Sequence, residues 1–391
     1  MIPGAHSGLR GMAATSLTEL LDRRVRAGTL PGAVAAVASG DHLEVAVVGA
    51  RRVDGPPMTR DTIFRIASVG KPITAAATMV LVDDGLVGLD DPVARWLPEL
   101  ADPVVVRTPE SPVDDVVPAR RAITVRDLLT FRNGHGFPAD FSLPAVGLLF
   151  SELRQGPPAP QDVVAPDEWM RVLATIPLLH HPGDRWLYNT GSDILGVLVA
   201  RAAGRPFDEL LAERIFAPLG MGDTGFHVPA ADLPRFTTAY RPEGTGLAVT
   251  DPPEGQWSTP PAFCSGAGGL VSTLDDLLAF QRMLLAGGGE VLSPKAVALM
   301  TTDHLTAAQR AAGALFLEGQ GWGFGGSVDV ERSAPWNAPG RYGWVGGSGT
   351  AAHVDPVGHT ATVLLTAVAM ESPAPPAVMR EFWAHTARVR T

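Results

Sequence analysis

Ser68 and Lys71 stand three residues apart in the segment FRIASVGKPIT, a spacing that could support acyl transfer. Residues three apart on a helix share one face, so the lysine amine can reach the serine hydroxyl. A serine in the first turn of a helix also lies near unsatisfied backbone N–H groups, which favour the oxyanion that acyl transfer creates. The only other lysine is Lys295, so Lys71 is an unusual residue for this chain. The pair predicts a nucleophilic serine with an amine partner.

Two residues could act as the base toward Ser68. A lysine in water is protonated at neutral pH, so burial or a neighbouring cation would have to lower the pKa of Lys71 before it could take a proton. A tyrosinate held near the lysine is the alternative base. Of the three tyrosines, Tyr188 lies between a turn and a strong helix start, in RWLYNTGSDILG. The sequence leaves open which of Lys71 and Tyr188 is the base.

A glycine-dense segment, YGWVGGSGT, begins at Tyr342 and has the composition of a strand. Its backbone N–H groups could face a substrate, because side chains are absent at the glycines. Each feature also has a simpler structural interpretation. Tyr188 could anchor a loop, and the glycines could mark a β-bulge. Their order along the chain, together with the Ser68–Lys71 pair, favours a shared catalytic role.

The composition indicates a large globular protein. The chain has 391 residues, of which 46% are hydrophobic and 18% charged, and this supplies ample core material. The formal net charge of −10 argues against nucleic acid or an anionic membrane as a partner. Cys264 is the only cysteine, so the chain can form no internal disulfide.

Two further patterns are missing from the sequence. The ten histidines form no H-x-H or H-E-x-x-H motif, so neither a metal nor another cofactor is expected. The N-terminal residues lack a basic start followed by an apolar core, and no apolar run is long enough to span a membrane. We therefore predict a cytoplasmic protein.

Periodicity and turn signals predict the main elements. Residues 16–28 predict a capped helix, residues 32–39 and 42–49 a hairpin, and residues 376–388 a final helix. Three further strands are predicted for RYGWVGG, TAAHVDP and HTATVLLTAV, and helices for residues 125–130, 167–174, 192–203, 207–214 and 274–286. Two long proline-rich connectors are predicted as loops, 156–169 and 241–263. They either cover a functional site or are surface loops without a functional role. Strands at both chain ends with helices between them indicate a sheet with an inserted helical lobe.

The motifs SVGK, YNT and WVGG resemble, in this order, those of penicillin-recognising serine hydrolases, which carry S-x-x-K, a tyrosine motif and K/H/W-x-G. Class C β-lactamases and family VIII carboxylesterases are the most similar groups. The likeness extends through LLTFRNGHG, APLGMGDTGF, SGAGGLVSTLDDLLAF and GWGFG, from about residue 16 to residue 385. It implies an α/β (α+β), β-lactamase/DD-peptidase-like fold, with an antiparallel sheet flanked by helices. We assign the sheet domain to residues 1–90 and 260–391 and the inserted, mostly helical domain to residues 91–259, with approximate boundaries.

The resemblance also implies a role for each site residue. Ser68 would be the acylated nucleophile, Lys71 its partner, and Tyr188 the residue that passes the proton to the leaving group and then activates water. The backbone N–H groups of Ser68 and Gly347 would form the oxyanion hole. Substrate-binding positions would be Trp186, Asn189, Thr190, Trp344 and Gly346.

Two departures from the β-lactamase pattern bear on the substrate. Thr190 stands where these enzymes usually have an asparagine, and Trp344 where they have a lysine. That lysine pairs with the β-lactam carboxylate and the asparagine with its amide, so both kinds of recognition are lost together. We therefore predict an esterase that acts on a small-molecule ester through an acyl-enzyme on Ser68.

Other functions stay open at this point. They are amide hydrolysis of the β-lactamase or DD-peptidase kind, acyl transfer to an alcohol or amine, and ligand binding by a catalytically inactive member of the fold. The intact Ser68, Lys71 and Tyr188 count against inactivity. A Ser-His-Asp triad would need His180 or His181 near Ser68, and no spacing supports it. The sequence does not determine the acyl chain length or the oligomeric state.

Overall fold

The computed structural model describes residues 15–389. The helices are α1 (Leu17–Arg26), α2 (Lys71–Asp83), α3 (Val125–Leu129), α4 (Pro144–Ser151), α5 (Pro166–Leu173), α6 (Thr190–Ala203), α7 (Phe207–Leu211), α8 (Ala217–Leu219), α9 (Leu274–Leu285), α10 (Pro294–Met300), α11 (Ala307–Ala312), α12 (Ala314–Leu317) and α13 (Ala377–Val389). The strands are β1 (Gly32–Ser39), β2 (His42–Gly49), β3 (Phe64–Arg65), β4 (Val104–Val106), β5 (Val116–Pro118), β6 (Ala239–Glu243), β7 (Gly246–Asp251), β8 (Val271–Ser272), β9 (Gly321–Trp322), β10 (Ser327–Val328), β11 (Tyr342–Gly346), β12 (Thr350–Asp355) and β13 (Thr360–Thr366).

The predicted N-terminal helix is confirmed as α1, which begins at a capping box formed by Ser16 and Glu19. The prediction about a signal sequence rests partly on residues 1–14, which lie outside the described residues. Within residues 15–389, no helix has the length and apolar character that a membrane crossing requires.

A seven-stranded antiparallel sheet forms the centre of the fold, in the order β2-β1-β13-β12-β11-β10-β9. The predicted hairpin is confirmed, since Ser39 pairs with His42 across the turn between β1 and β2. The three strands predicted near the C-terminal end become β11, β12 and β13, and β13 returns to pair with β1. The sheet therefore joins segments from both ends of the described chain.

The two faces of the sheet pack against different helices. Ala33, Ala35 and Val37 of β1 lie in one buried cluster with apolar residues of α1 and α13. Val34 and Ala36 lie in a second and larger buried cluster, which includes residues of α2 and α9. Successive side chains of a strand point to opposite faces, so this alternation shows that β1 is covered on both sides.

The segment between β3 and β8 contains the helices α2 to α8 and two separate strand pairs, β4–β5 and β6–β7. One prediction for the middle of the chain is corrected. The segment 241–263 is not simply a loop, because it contains most of the β6–β7 hairpin. The division of the chain into two domains at residues 90 and 260 stays a prediction.

Strand β11 ends beside the turn that carries Ser68. Thr350 Oγ1, across the hairpin from Gly346, donates a hydrogen bond of 2.9 Å to the carbonyl oxygen of Ile66. A Cβ atom on Gly346 would lie only 2.4 Å from that same oxygen. Glycine is therefore required at this position for the strand to approach the turn.

Arg65, three residues before Ser68, anchors the turn from the other side. Its guanidinium donates to Asp251 at 2.9 and 2.5 Å and to the carbonyl oxygen of Thr237 at 2.6 Å. It also lies 4.0 Å from the centre of the Phe236 ring. The side chains of the ion pair are only 6% and 12% exposed, so solvent screens the pair little. The pair ties β3 to the end of β7.

We expect Asp251→Ala to lower the free energy of unfolding by about 3 kcal/mol or more, because the guanidinium of Arg65 would stay buried without its anion. Urea denaturation followed by circular dichroism measures this loss. The matched control is Asp275→Ala, because Asp275 pairs with Arg60 and their side chains are 53% and 48% exposed. Exposed pairs contribute at most about 1 kcal/mol, so equal losses in the two variants would contradict the role of the buried pair.

Candidate active site

Ser68 lies in a single 3-10 turn, Ala67–Gly70, that leads directly into α2. Pro72 occupies the first turn of α2, where its missing N–H costs little. Ala67 has a φ of 45°, a left-handed conformation that is unfavourable for a residue with a Cβ atom. The contacts of the turn with β11 hold this conformation, and they present Ser68 at the wall of a cavity.

Lys71 is fully buried, and its amine contacts three oxygen atoms. The Nζ atom lies 2.8 Å from Ser68 Oγ, 2.8 Å from Asn189 Oδ1 and 2.6 Å from the carbonyl oxygen of Ala267. The two carbonyl-type oxygens can only accept hydrogen bonds, so they take up two N–H groups. A neutral amine has two N–H groups and one lone pair, and the lone pair would then face the hydroxyl of Ser68. The contacts of Lys71 therefore suit a general base.

Burial lowers the pKa of Lys71 to about 7, because a dry environment penalises the ammonium form. The carboxylate of Asp193 acts in the opposite direction and keeps the pKa from falling further. A substantial fraction of Lys71 is therefore neutral near pH 7 and able to accept a proton. The low pKa that the sequence analysis required for a lysine base is thus provided by burial.

Tyr188 also reaches the Ser68 hydroxyl. Its phenol oxygen is hydrogen-bonded to Ser68, and it accepts a 2.7 Å hydrogen bond from Trp344 Nε1. Lys71 Nζ lies 4.8 Å from the centre of the tyrosine ring. Burial raises the pKa of Tyr188 to about 12, because the phenolate form is penalised there. At neutral pH the residue is a phenol that can donate a proton, which argues against a resting tyrosinate base.

Asn189 joins Tyr188 to α6 through an uncommon backbone conformation, with φ 81° and ψ −66°. A residue with a side chain seldom adopts a positive φ, so the surrounding structure must hold it there. This conformation lets Tyr188 face the cavity while Asn189 Oδ1 contacts Lys71. Ala67 and Asn189 thus place strained backbone on both sides of the reacting groups.

Several predicted site residues line one cavity, of about 990 Å³. They are Ser68, Tyr188, Asn189, Trp344 and Gly347. The backbone at Gly347 is held in part by a 2.8 Å hydrogen bond from the Met370 N–H to the carbonyl oxygen of Gly347. Most of the remaining wall is apolar and includes Phe137, Phe141, Phe150, Leu153, Trp169, Phe263 and Phe316.

Three other predicted substrate-binding residues lie behind the cavity wall. Trp186 stacks on the Tyr188 ring at a centroid distance of 5.8 Å and packs against Trp322, so its contacts support the tyrosine. Thr190 is buried and donates a 2.6 Å hydrogen bond to Gln155 Oε1. Gly346 is buried against the turn before Ser68, as its contact with Ile66 shows. Trp186, Thr190 and Gly346 are therefore not among the residues that line the cavity.

Sequence reasoning missed two contributors to the site. The carbonyl oxygen of Ala267 contacts Lys71, and the side chain of Asp193 supports the segment that carries this carbonyl. A backbone oxygen has no sequence signature of its own. Asp193 stands four residues after Asn189 on α6, so helical spacing could have directed attention to it. Across residues 15–389, no group of three or more metal-ligating side chains is arranged to hold an ion.

Comparisons with known proteins agree with this geometry. A family model described as Beta-lactamase matches residues 17–381. Esterase EstB of Burkholderia gladioli is 33% identical over 392 residues, which cover 94% of both chains. Protein Rv1367c of Mycobacterium tuberculosis is 43% identical over 355 residues, which cover 87% of this chain and 86% of that protein.

Solved structures show the same fold. EstCE1, described as a hydrolase with promiscuous acyltransferase activity, matches with a TM-score of 0.77 and 26% identity, over 94% of this chain and 96% of that chain. The resemblance and the fold class inferred from the motifs are both confirmed. The chain belongs to the beta-lactamase family and is a serine hydrolase of the penicillin-recognising fold.

Proposed function

We propose that the protein hydrolyses neutral carboxylic esters through an acyl-enzyme on Ser68. The observation that carries this proposal is the position of the Ser68 hydroxyl between two groups of opposite function. Lys71, with its pKa lowered by burial, contacts the hydroxyl at 2.8 Å, and the protonated phenol of Tyr188 is hydrogen-bonded to it as well. A nucleophile, a base and an acid are thus assembled at one wall of an apolar cavity.

Acylation would begin when the neutral amine of Lys71 accepts the proton of Ser68. The Oγ atom then attacks the ester carbonyl carbon, and the backbone N–H groups of Ser68 and Gly347 would bind the oxyanion. Tyr188 donates its proton to the alkoxide as the C–O bond breaks, and the proton on Lys71 restores the phenol. The alcohol leaves with one proton, and the acyl group stays on Ser68.

Deacylation would use the same groups in reverse. Water enters the position that the alcohol has left, and the Lys71 and Tyr188 pair accepts one of its protons as the water oxygen attacks the acyl carbon. Ser68 Oγ then leaves and regains a proton from the pair. The products are a carboxylic acid and the free enzyme, so the reaction consumes one ester and one water.

The wall near the nucleophile supports a neutral substrate. Trp344 is buried, and its indole N–H is already used by the phenol of Tyr188. A substrate carboxylate placed there would lose water without gaining a cation, at a cost on the order of several kcal/mol, the effective penalty for a buried ion that has no partner. Among residues 15–389, three arginines line the cavity. Arg65 is already paired with Asp251, and Arg154 and Arg241 are exposed to solvent, so their charges are screened by water.

Acyl transfer to an alcohol is a second candidate, favoured by the size of the cavity. A volume of about 990 Å³ is at the upper end of ordinary ligand pockets and could hold an acyl group together with an alcohol acceptor. EstCE1, a structural neighbour at 26% identity, is described as a hydrolase with promiscuous acyltransferase activity. Product analysis in the presence of a primary alcohol separates transfer from hydrolysis, because only transfer yields a new ester.

Ser68→Ala should abolish hydrolysis of an aryl acetate and leave the fold intact, because the nucleophile is lost and alanine is favourable near a helix start. Initial rates and thermal unfolding of the variant measure the two properties. A matched control is Ser348→Ala, since Ser348 also lines the cavity but its hydroxyl donates to the carbonyl oxygen of Arg65. Activity of the Ser68 variant above a tenth of wild type would contradict the nucleophile assignment.

The pH dependence of kcat/KM should show an acid limb near pH 7. Lys71 must be neutral to accept the proton, and its pKa is lowered to about 7, so activity falls as the pH drops through that value. The pKa of Tyr188 is raised to about 12, so its proton is retained well above neutral pH. Rates measured from pH 5 to 10 test this assignment. A limb near pH 10, the ordinary range of lysine, would contradict it.

The wild-type protein should prefer a neutral aryl ester to a penicillin by about 100-fold or more in kcat/KM, as a difference of ~3 kcal/mol in transition-state stabilisation gives. One reason is that Trp344 offers no positive charge to the carboxylate of a penicillin. The other is that the amide nitrogen of a penicillin needs more protonation than the oxygen of an aryl ester before it can leave. Parallel assays with p-nitrophenyl acetate and a chromogenic β-lactam measure the ratio. Comparable efficiencies would favour the β-lactamase alternative instead.

A further inference from the structure

Asp193 lies in the first turn of α6, and its side chain is buried within a network of hydrogen-bond donors. One carboxylate oxygen accepts from Ser265 Oγ at 2.6 Å and from the backbone N–H of Ala267 at 3.1 Å. The other oxygen accepts from Gln155 Nε2 at 3.0 Å. Every one of these partners is a donor, so the arrangement fits a carboxylate that only accepts.

The network leads directly to the amine of Lys71. Ala267 donates its N–H to Asp193, and its carbonyl oxygen accepts a 2.6 Å hydrogen bond from Lys71 Nζ. The turn from Ser265 to Gly268 is held by the same carboxylate, because Ser265 Oγ also accepts from the N–H groups of Ala267 and Gly268, at 3.3 and 3.2 Å. The position of the acceptor that orients Lys71 therefore depends on Asp193.

The backbone of the turn from Ser265 to Gly268 packs closely against α6, so the turn has little room to move. A Cβ atom on Gly266 would lie 2.4 Å from the carbonyl oxygen of Ser192, the residue before Asp193. The turn thus lies directly against the first turn of α6, and Asp193 reaches it from the same helix. Loss of the carboxylate would therefore release the turn from the helix.

We propose that Asp193 is a positioning residue for the proposed ester hydrolysis, which orients the Lys71 amine toward Ser68 through the Ala267 carbonyl and places a negative charge behind that amine. The proposal rests on the function of Ser68 and Lys71 given above. It extends that function to a residue on α6 that lies at the cavity wall but acts through the Ala267 carbonyl and not on the Ser68 hydroxyl itself.

The electrostatic part of this role depends on few groups. Asp193 is the carboxylate whose charge acts on Lys71, and it raises the lysine pKa against the effect of burial. Burial also raises the pKa of Tyr188 and of Cys264, next to Ser265, to about 12, so both stay neutral at ordinary pH. Burial raises the pKa of Asp193 itself, while its donors and Lys71 act in the opposite direction.

Gln155 connects this network to the cavity. Its Nε2 donates to Asp193, its Oε1 accepts from Thr190, and the residue itself lines the cavity. The wall continues along the proline-rich segment 156–160, the first part of a connector for which the sequence left open whether it covers a site or is an unconstrained surface loop. The buried carboxylate is therefore bonded to the wall that meets the substrate as well as to the base.

The experiment measures the rate at which a fluorophosphonate labels Ser68, as a function of pH, in the full-length protein and two variants. This reaction reports the nucleophilicity of Ser68 without requiring the correct ester. Asp193→Asn removes the charge but keeps the shape, and reversal of the Gln155 amide restores the hydrogen bonds. Because a negative charge that raises the pKa of Lys71 is removed, we expect the acid limb to move to lower pH by about one unit, a typical effect of one nearby charge.

Asp193→Ala removes the hydrogen bonds as well, and we expect its maximal labelling rate to fall by about tenfold or more, since a misplaced base loses general-base assistance. The matched control is Asp276→Asn. Asp276 is also a buried carboxylate that accepts from a backbone N–H, of Asp223 at 2.9 Å, and from a hydroxyl, of Thr224 at 2.7 Å. The Asp276→Asn variant should have a changed thermal stability, but the acid limb of its labelling rate should stay at the wild-type pH.

An acid limb that is unchanged in Asp193→Asn, with Ser68 still labelled, would overturn the role of Asp193 and leave the ester hydrolysis intact. A limb that moves equally in the Asp276 control would overturn it too. Peptide mapping identifies the labelled residue, and failure of the wild type to label at Ser68 would overturn both proposals. If Asp193→Ala does not fold, Asp193→Asn alone still decides the question.

Discussion

The burial of one amine is the constraint on which the site depends. Lys71 is fully enclosed, and its three oxygen contacts come from the turn before α2, from the start of α6 and from the turn before β8. An amine without such partners would cost several kcal/mol to bury, so these three segments have to meet at one point. Two of the partners, Asn189 and Ala267, are 118 and 196 residues away along the chain. Only the assembled fold can provide them.

The sheet makes that assembly possible because it fixes the turn before α2. β11 approaches the turn closely enough to exclude any side chain at Gly346, and Thr350 bonds to the backbone of the turn. Held in this way, Ala67 keeps a left-handed conformation that an isolated turn would avoid. Asn189 is strained in a similar way at the start of α6. The stability of the core thus maintains the unfavourable backbone at the site.

The sequence predicted those features that local patterns determine. Three-residue spacing indicated that Lys71 could reach Ser68, and the contact of 2.8 Å agrees. The capping box at Ser16 and the short apolar runs of β1 and β13, bounded by turn residues, carried equally local signals. The hairpin β6–β7 was missed because proline, glycine and exposed side chains give its strands no clear alternation. The roles of Trp186 and of the Ala267 carbonyl depend on packing between distant segments, which no local pattern encodes.

The same dry environment produces both an acid and a base. Burial penalises the charged form of any group, and for Lys71 the charged form is the cation, whereas for Tyr188 it is the anion. The pKa of the lysine therefore falls to about 7 while the pKa of the tyrosine rises to about 12. Near neutral pH the lysine can accept a proton and the tyrosine can donate one, although both contact the same hydroxyl. Opposite shifts from one physical cause thus support the base and acid roles that we propose for Lys71 and Tyr188.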